Sequence, residues 1–290
     1  MSRNRLALLI ANAVYKHPEL RKLNAPVHDV RALEALLARP DIGGYQPYVL
    51  VDEIKSKVVQ AVVRILTDSG RDDTILIFFA GHGLKRDNGK LYFAVSDTEP
   101  KYLGGTAVSA GWLVEQMQES RVGSQIVLLD CCFGGAFARG YVWRGGPDAR
   151  VESGKSLEIP NLEHSGRGQV VITSADAMQF AFEEGSLKVG QPHASHFMRV
   201  LVEGLQSGAA DVDNDGKVTV DELMRYLDSE LKKAGSPQRP TKWTFGAAGG
   251  DLVFANNPRV PISQGISPQT KQFLRGLLGE PKDLARFIFQ

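Results

Sequence analysis

Two short, almost wholly apolar segments restrict the possible fold most strongly. Residues 74–79 lead directly into the sequence AGHG, which contains His82, and residues 125–129 lead into DCCFGG, which contains Cys131 and Cys132. Apolar runs of this length are typical of strands that are buried on both faces of a parallel sheet. Because ligands bind beyond the carboxyl ends of such strands, the sequence predicts that an imidazole and a thiol face the same crevice.

A thiol beside an imidazole is the arrangement of a nucleophile and its proton acceptor. A free thiol is mostly protonated near neutral pH, and an imidazole can take its proton and later pass it to a leaving amine. Gly81 and Gly83 would leave space for a substrate backbone and for N–H groups that hold an oxyanion. The alternatives are that His82 and the thiol are buried core groups, or that Cys131 and Cys132 form a redox site.

Strand and helix patterns alternate along the chain. This alternation predicts an α/β fold with a mainly parallel sheet covered by helices on both faces. A chain of 290 residues that is 43% hydrophobic can bury a core of this kind. The predicted strands are residues 5–11, 47–51, 74–79, 91–95, 125–129, 169–173 and 251–254, and the predicted helices are residues 29–37, 54–66, 112–119 and 196–205.

Charge and cysteine content exclude several classes of partner. The formal net charge is +1, and no basic run with interleaved aromatic residues occurs, which argues against nucleic acid and against an anionic membrane. Residues 6–10 are too few to span a bilayer. Two adjacent cysteines cannot build a disulfide framework, and a nucleophilic thiol must stay reduced, so we expect a cytoplasmic protein. We expect no organic cofactor.

Residues 211–222 match the loop of an EF-hand at every position, which predicts a calcium site. Apolar helical patterns on both sides provide the helix–loop–helix context. The alternative is an acidic turn that binds nothing, and the sequence has no second loop of this kind to form the usual pair. The predicted ligands are Asp211, Asp213, Asp215, the carbonyl of Lys217, Thr219 and Glu222.

The sequences FAGHG and DCCFGG resemble the His and Cys motifs of the caspase-like cysteine peptidases, and most of all those of metacaspases and bacterial caspase homologues. Residues 23–30, 171–183 and 238–253 agree with the same family in order, so the resemblance covers about residues 4–257. It implies a caspase-like three-layer αβα sandwich with a mainly parallel central sheet. It also implies Cys132 as the nucleophile and His82 as the general base and acid.

The resemblance also implies an organisation into parts. Residues 1–257 would form the catalytic domain, with a large part at 1–137, a linker loop at 138–168 and a small part at 169–257. The equivalent linker in the family is often cut by the enzyme itself; a solvated connection is the alternative. The candidate self-processing sites are Arg139, Arg144, Arg150, Lys155 and Arg167.

Residues 258–290 are predicted to form a helical appendage. A start at Ser267-Pro268 precedes an apolar stripe, and a second short helix follows Pro281. The stripe would pack on the core, or it would dock on a regulatory protein or a further domain.

The charged residues expected near the nucleophile indicate which substrate residue the enzyme would prefer before the cleaved bond. Asp130 resembles the acidic residue with which metacaspases hold an arginine or lysine before the cleaved bond; a cap of the strand end is the alternative. Leu23 stands where aspartate-cutting caspases carry a pocket arginine. Asp176 and Glu183 would add negative charge, although Met178 replaces an aspartate that metacaspases usually have.

Two functions therefore compete. The first is a cysteine endopeptidase that cleaves protein substrates after Arg or Lys, in a bacterial signalling or defence setting that the resemblance suggests. The second is a catalytically silent caspase-fold module that binds calcium and a partner. The sequence contains both Cys132 and His82 together with the neighbouring glycines of each motif, which favours the endopeptidase.

Overall fold

The structure is a computed structural model that describes residues 4–86, 90–131, 168–174, 195–236, 238–245 and 252–260. Its strands are β1 (Arg5–Ala11), β2 (Gln46–Val51), β3 (Thr74–Gly81), β4 (Gly83–Lys85), β5 (Leu91–Phe93), β6 (Val108–Ser109), β7 (Ser124–Cys131), β8 (Gly168–Thr173), β9 (Lys217–Thr219), β10 (Thr241–Phe245) and β11 (Val253–Asn256). Its helices are α1 (Ala25–Ala38), α2 (Lys55–Asp68), α3 (Leu103–Thr106), α4 (Ala110–Glu119), α5 (His196–Ser207) and α6 (Val220–Lys233), and a 3₁₀ turn lies at Pro100–Tyr102.

Within the described residues, the central sheet has six strands in the order β10-β8-β7-β3-β1-β2. Its strands are parallel to their neighbours except for β10, which runs antiparallel to β8 at one edge. The register pairs Phe79 with Leu129 and Gly81 with Cys131. The carboxyl ends of β1, β3, β7 and β8 therefore lie along one edge, which is the edge predicted to bind substrate.

Alternate residues of each central strand enter two separate cores. Leu9 and Phe78 pack with α1, α5 and α6 on one face, whereas Ile10 and Phe79 pack with α2 and α4 on the other. All four side chains are at least 97% buried. Burial on both faces explains why the strands read as continuous apolar runs. The predicted three-layer αβα sandwich with a mainly parallel sheet is confirmed.

The predicted helices form with small differences at their ends. Helix α1 begins at Ala25, four residues before the predicted start, because Pro26 in the first turn has the backbone angle that a helix requires. Helix α5 ends where Gly208 adopts a left-handed conformation with φ 72°. A glycine tolerates this conformation without steric cost, so it terminates the helix.

Two predicted strands lie outside the central sheet. The strand expected at residues 91–95 is the shorter β5, which belongs to a three-stranded antiparallel sheet with β4 and β6. The closing strand expected at 251–254 is β11, which pairs with β9 and leaves the edge of the central sheet to β10. Strand β10 was not predicted, because Thr241, Lys242 and Thr244 interrupt any apolar run there.

Residues Met1–Arg259 form one compact unit. The predicted linker at 138–168 and the predicted appendage at 258–290 lie, apart from Gly168 and residues 258–260, outside the described residues, so these parts stay predictions. None of the described helices has the length and apolar character that crossing a bilayer requires.

Candidate active site

His82 follows β3 directly at the carboxyl edge of the sheet and is partly exposed. Its ring Nε2 lies 2.8 Å from the carbonyl oxygen of Arg21. A carbonyl oxygen can only accept a hydrogen bond, so Nε2 carries the proton of the neutral ring. The lone pair of the neutral imidazole is therefore on Nδ1, which is the atom that can take a proton from a thiol.

Two further contacts hold the main chain at His82. Its backbone N–H donates to the hydroxyl of Tyr15 at 3.0 Å, and its carbonyl accepts from the N–H of Ala94 at 2.9 Å. The rings of Tyr15 and His82 also meet, with centroids 5.0 Å apart and planes tilted by 39°.

The two predicted glycines sit on either side of His82. Gly81 has φ 155°, and a Cβ there would lie 2.9 Å from the hydroxyl oxygen of Tyr15. The space at Gly81 is thus taken by Tyr15 and by the carbonyl of Asn12. Gly83 begins β4 and pairs with Phe93. Contacts of either glycine with a substrate stay a prediction.

The two adjacent cysteines differ in what the structure shows of them. Cys131 is the last residue of β7, is 6% exposed and packs in the core on the α2 and α4 face. Burial in apolar surroundings makes a thiol less reactive, so Cys131 has the character of a packing residue. Cys132 lies outside the described residues. In the sequence, Cys132 is the next residue after Cys131, and His82 is the next residue after Gly81. Cys131 and Gly81 are the last register pair of β7 and β3.

Asp130 lies on the opposite face of β7 from Cys131, near the amino end of α5. The hydroxyl of Ser195 donates to its Oδ2 at 2.5 Å. The backbone N–H of the same serine contacts both carboxylate oxygens of Asp29, at 3.1 and 3.3 Å. Ser195 therefore bridges two carboxyl groups beside the sheet edge.

Asp29 is an additional candidate that the sequence reasoning missed. It is 1% exposed on the buried face of α1. Burial, reinforced by the nearby charge of Asp130, raises the pKa of Asp29 to about 8, although the hydrogen bond from Ser195 opposes the shift. The sequence pattern could have indicated this burial. Asp29 precedes Leu33 by four residues, so the two residues share the apolar face of the helix. The other predicted acidic residues of the pocket, Asp176 and Glu183, lie outside the described residues.

The predicted calcium loop joins α5 to α6. One carboxylate oxygen from each of Asp211, Asp213 and Asp215 lies within 4.8 Å of the others, which suits a hard cation with oxygen ligands. Asn214 and Gly216 adopt left-handed conformations with φ 60° and 92°, which turn the loop sharply.

The remaining predicted ligands of the loop have structural partners. Glu222 accepts from the N–H groups of Val212 and Asp213, and its other oxygen accepts from the N–H and hydroxyl of Thr219. Burial alone would raise the pKa of Glu222, but these hydrogen bonds outweigh it and lower the pKa. Lys217 lies in β9, whose antiparallel partner is β11. In paired EF-hands, the two loops pair through short strands. Here β11 takes the place of the strand that a second EF-hand loop would provide.

Comparisons with known proteins agree with this fold. A family model described as "Caspase domain" matches residues 4–245. A crystal structure of a Geobacter sulfurreducens protein is similar with a TM-score of 0.55 and 15% identity, covering 84% of this chain and 94% of that one. Caspase-1 from Spodoptera frugiperda is similar with a TM-score of 0.54 and 14% identity, covering 87% of this chain and 90% of that one. A search of curated proteins found no significant match.

Proposed function

The chain belongs to the caspase domain family, whose members are cysteine peptidases that act on proteins, and from this we propose that it is a cysteine endopeptidase that cleaves after Arg or Lys. In this proposal Cys132 attacks the peptide carbonyl and His82 takes the thiol proton. The observation that carries it is the position of His82, which follows β3 beside β7 with its Nε2 bound to a carbonyl and its Nδ1 left as the basic atom.

In the proposed reaction, Nδ1 of His82 accepts the proton of the Cys132 thiol as sulfur bonds to the peptide carbonyl carbon. The same proton then passes to the leaving amine, which leaves an acyl-enzyme that water hydrolyses. The contact between Arg21 and Nε2 supports this role, because it stabilises the imidazolium formed in between. A reducing cytoplasm is the compartment in which this thiol would stay available.

The proposed preference for basic residues rests on Asp130 and Asp29. Two carboxyl groups are joined through Ser195, and a substrate guanidinium or ammonium beside them would pair with Asp130 and favour loss of the proton that Asp29 holds near neutral pH. An acidic side chain would meet like charge instead. The basic residues of the 138–168 linker would then be substrates of the enzyme itself.

The nucleophile is tested with fluorogenic peptides that differ only in carrying Arg, Lys or Asp before the cleaved bond. We expect Cys132→Ala and His82→Ala each to abolish hydrolysis and self-cleavage of the linker without unfolding the protein. Cys131→Ala is the matched control and should stay active. Activity in Cys132→Ala together with loss in Cys131→Ala would show that the nucleophile is wrongly assigned. A folded wild-type protein that cleaves none of the peptides, with or without calcium, would favour the silent binding module.

The pocket is tested with the same peptides. Asp130→Ala and Asp29→Asn should both lower kcat/KM for the Arg and Lys peptides, while Asp68→Asn, a change at an exposed residue of α2, should not. Efficient cleavage of the Asp peptide by the wild-type protein would contradict the proposed specificity.

We further propose that the 211–222 loop binds one calcium ion through Asp211, Asp213 and Asp215, with Lys217, Thr219 and Glu222 completing the site. The three close carboxylates repel one another, and a divalent cation would offset that repulsion. Binding would require the carboxylate of Glu222 to exchange hydrogen bonds for coordination.

A further inference from the structure

We propose that Tyr15 is a positioning residue for His82, whose main chain it holds through its phenol hydroxyl. The inference rests on the proposed function, since it takes His82 as the general base. Tyr15 touches the base and not the scissile bond, so its role is to fix where the imidazole stands.

The hydroxyl of Tyr15 joins the ends of two neighbouring strands. It donates to the carbonyl of Asn12 at 2.8 Å and accepts from the backbone N–H of His82 at 3.0 Å. Asn12 directly follows β1, and His82 directly follows β3. The bond to Asn12 is buried and the bond from His82 is partly buried, so competition with water is limited at both.

Gly81 provides the space that this contact needs. A Cβ at this position would lie 2.9 Å from the hydroxyl oxygen, closer than side chains normally approach, and φ 155° is itself rare for other residues. The glycine before the base thus accommodates Tyr15.

The segment that carries Tyr15 also holds the ring of the base. We call residues 12–23 the clasp loop. Near its end, the carbonyl of Arg21 binds Nε2 of His82 at 2.8 Å. The N–H of Leu23 then returns to the carbonyl of Ala13 at 2.9 Å, which closes the loop on itself. The clasp loop therefore holds His82 at its main chain through Tyr15 and at its ring through Arg21.

Asp52 anchors the clasp loop to the end of β2. Its Oδ1 accepts from the N–H groups of Ala13 and Val14 at 2.7 and 2.8 Å. Asp52 itself is left-handed, with φ 53°, a conformation that costs energy for any residue with a side chain. The surrounding contacts must over-determine this conformation.

If Tyr15 served only to fill space in the fold, a different experimental result would be expected. Tyr15 packs with Leu20 and Ala94, and a phenylalanine would fill the same volume and keep the ring contact with His82. The two explanations therefore differ in what removal of the hydroxyl does to the imidazole.

The experiment compares Tyr15→Phe with Tyr45→Phe in the full chain. Tyr45 is a matched control, because it is also buried and its hydroxyl also makes two hydrogen bonds. The hydroxyl accepts from Nη2 of Arg5, at the start of β1, and donates to the carbonyl of Phe254. With an Arg peptide, Tyr15→Phe should lower kcat about 10- to 100-fold and change KM by less than about twofold. Tyr45→Phe should leave both values unchanged below its melting temperature. An equal fall of kcat in the two variants overturns the proposal.

The second readout is the ¹⁵N spectrum of the His82 imidazole, which does not depend on activity. In the wild-type protein the neutral ring should be in the Nε2–H form. Tyr15→Phe should increase the Nδ1–H fraction, and Asp52→Asn, which loosens the anchor of the clasp loop, should do so to a smaller extent. Unchanged ¹⁵N shifts in both variants overturn the proposal. If the wild-type protein cleaves no peptide, the proposed function fails, and this spectrum still decides whether Tyr15 positions His82.

Discussion

At the scale of single residues, the unusual feature is a pair of carboxyl groups that approach each other beside the candidate site. Asp29 is almost fully buried, and its pKa is raised to about 8 by burial and by the charge of Asp130. Near neutral pH it therefore holds a proton in the folded protein and loses it on unfolding. A cationic substrate side chain in this place would favour release of that proton.

Asp29→Asn should consequently make the protein more stable at alkaline pH. In the unfolded chain Asp29 ionises at the ordinary aspartate pKa of 3.8, and in the folded protein its pKa is about 8, so its contribution to the free energy of unfolding falls between these two pH values. Each pKa unit is about 1.4 kcal/mol, and we expect the variant to gain on the order of 1–3 kcal/mol at pH 8.5 and little at pH 4. Urea titrations at both pH values measure the difference. A gain that is equal at the two pH values, or equal in Asp68→Asn, would contradict the explanation.

The sequence predicted some residues of the site and missed others for a physical reason. His82 was predicted as a site residue because it follows an apolar run, and Asp130 because it resembles the acidic pocket residue of metacaspases; both features are local in the sequence. Tyr15 and Asp29 were not found, because their roles arise from contacts across 67 and 166 residues of sequence. No local pattern encodes such distances.

At the scale of elements, the start of α5 combines two tasks in one serine. The hydroxyl of Ser195 accepts from the N–H of Met198, which caps the helix, and donates to Asp130. Helix α4 has a comparable cap in Ser109, whose hydroxyl accepts from the N–H of Trp112.

Ser195→Ala should therefore lower both stability and activity, whereas Ser109→Ala should lower stability alone. Loss of a serine cap costs about 1 kcal/mol, so both variants should be less stable by roughly that amount in urea unfolding. Ser195→Ala should in addition lower kcat/KM for Arg peptides, since Asp130 loses the donor that orients it. If both variants leave peptide selectivity unchanged, Ser195 acts on the helix alone.

The calcium loop gives a second prediction at this scale. Millimolar calcium should raise the melting temperature, since a ligand that binds the folded state stabilises it. Asp213→Asn should remove this shift. Asp213 is the better test residue than Glu222, because it is exposed and outside the capping box that Glu222 forms with Thr219. Asp228→Asn on α6 is the control and should keep the shift. An unchanged melting curve in the wild-type protein, with no ion bound by calorimetry, would falsify the calcium site.

Strands that are buried on both faces were predictable, and of the two edge strands of the central sheet β2 was predicted but β10 was not. Strand β3 is apolar after Thr74, and β7 has an apolar run from Ile126 to Leu129, so composition marks both strands. Among the described strands β10 pairs with β8 alone, and its exposed Thr244 and half-buried Lys242 interrupt the apolar pattern. The pairing of β9 with β11 depends on the fold as a whole.

At the scale of the whole molecule, Arg5 connects the two ends of the domain. Its guanidinium Nη2 donates to the carbonyls of Val253 and Phe254 at 3.1 and 2.6 Å and to the hydroxyl of Tyr45, over whose ring it also stacks. Strand β11 is thereby fixed to the beginning of the central sheet.

Arg5→Met should release β11 while leaving the central sheet intact. The aliphatic stem is kept, but the charged hydrogen bonds, which contribute about 1.5–3 kcal/mol, are lost. Hydrogen exchange should speed up at the amides of Val253–Asn256 and of Lys217–Thr219, but not in β3. Arg64→Met, at an exposed position of α2, is the control. Uniformly faster exchange throughout the chain would instead mean that Arg5 stabilises the whole fold.

Because β9 pairs with β11, the domain can be completed only late during synthesis, after β11 has been translated. The ribosome releases β3, β7 and both reactive motifs long before residue 253, with an interval of roughly ten seconds at ordinary rates of translation. During that interval β9 lacks its partner β11, and Arg5 lacks the carbonyls of Val253 and Phe254. A nascent chain that stalls there carries the His and Cys motifs without the strand that closes the domain. Such an incomplete product exposes an unpaired strand edge, which another chain can pair with, so it is prone to aggregation.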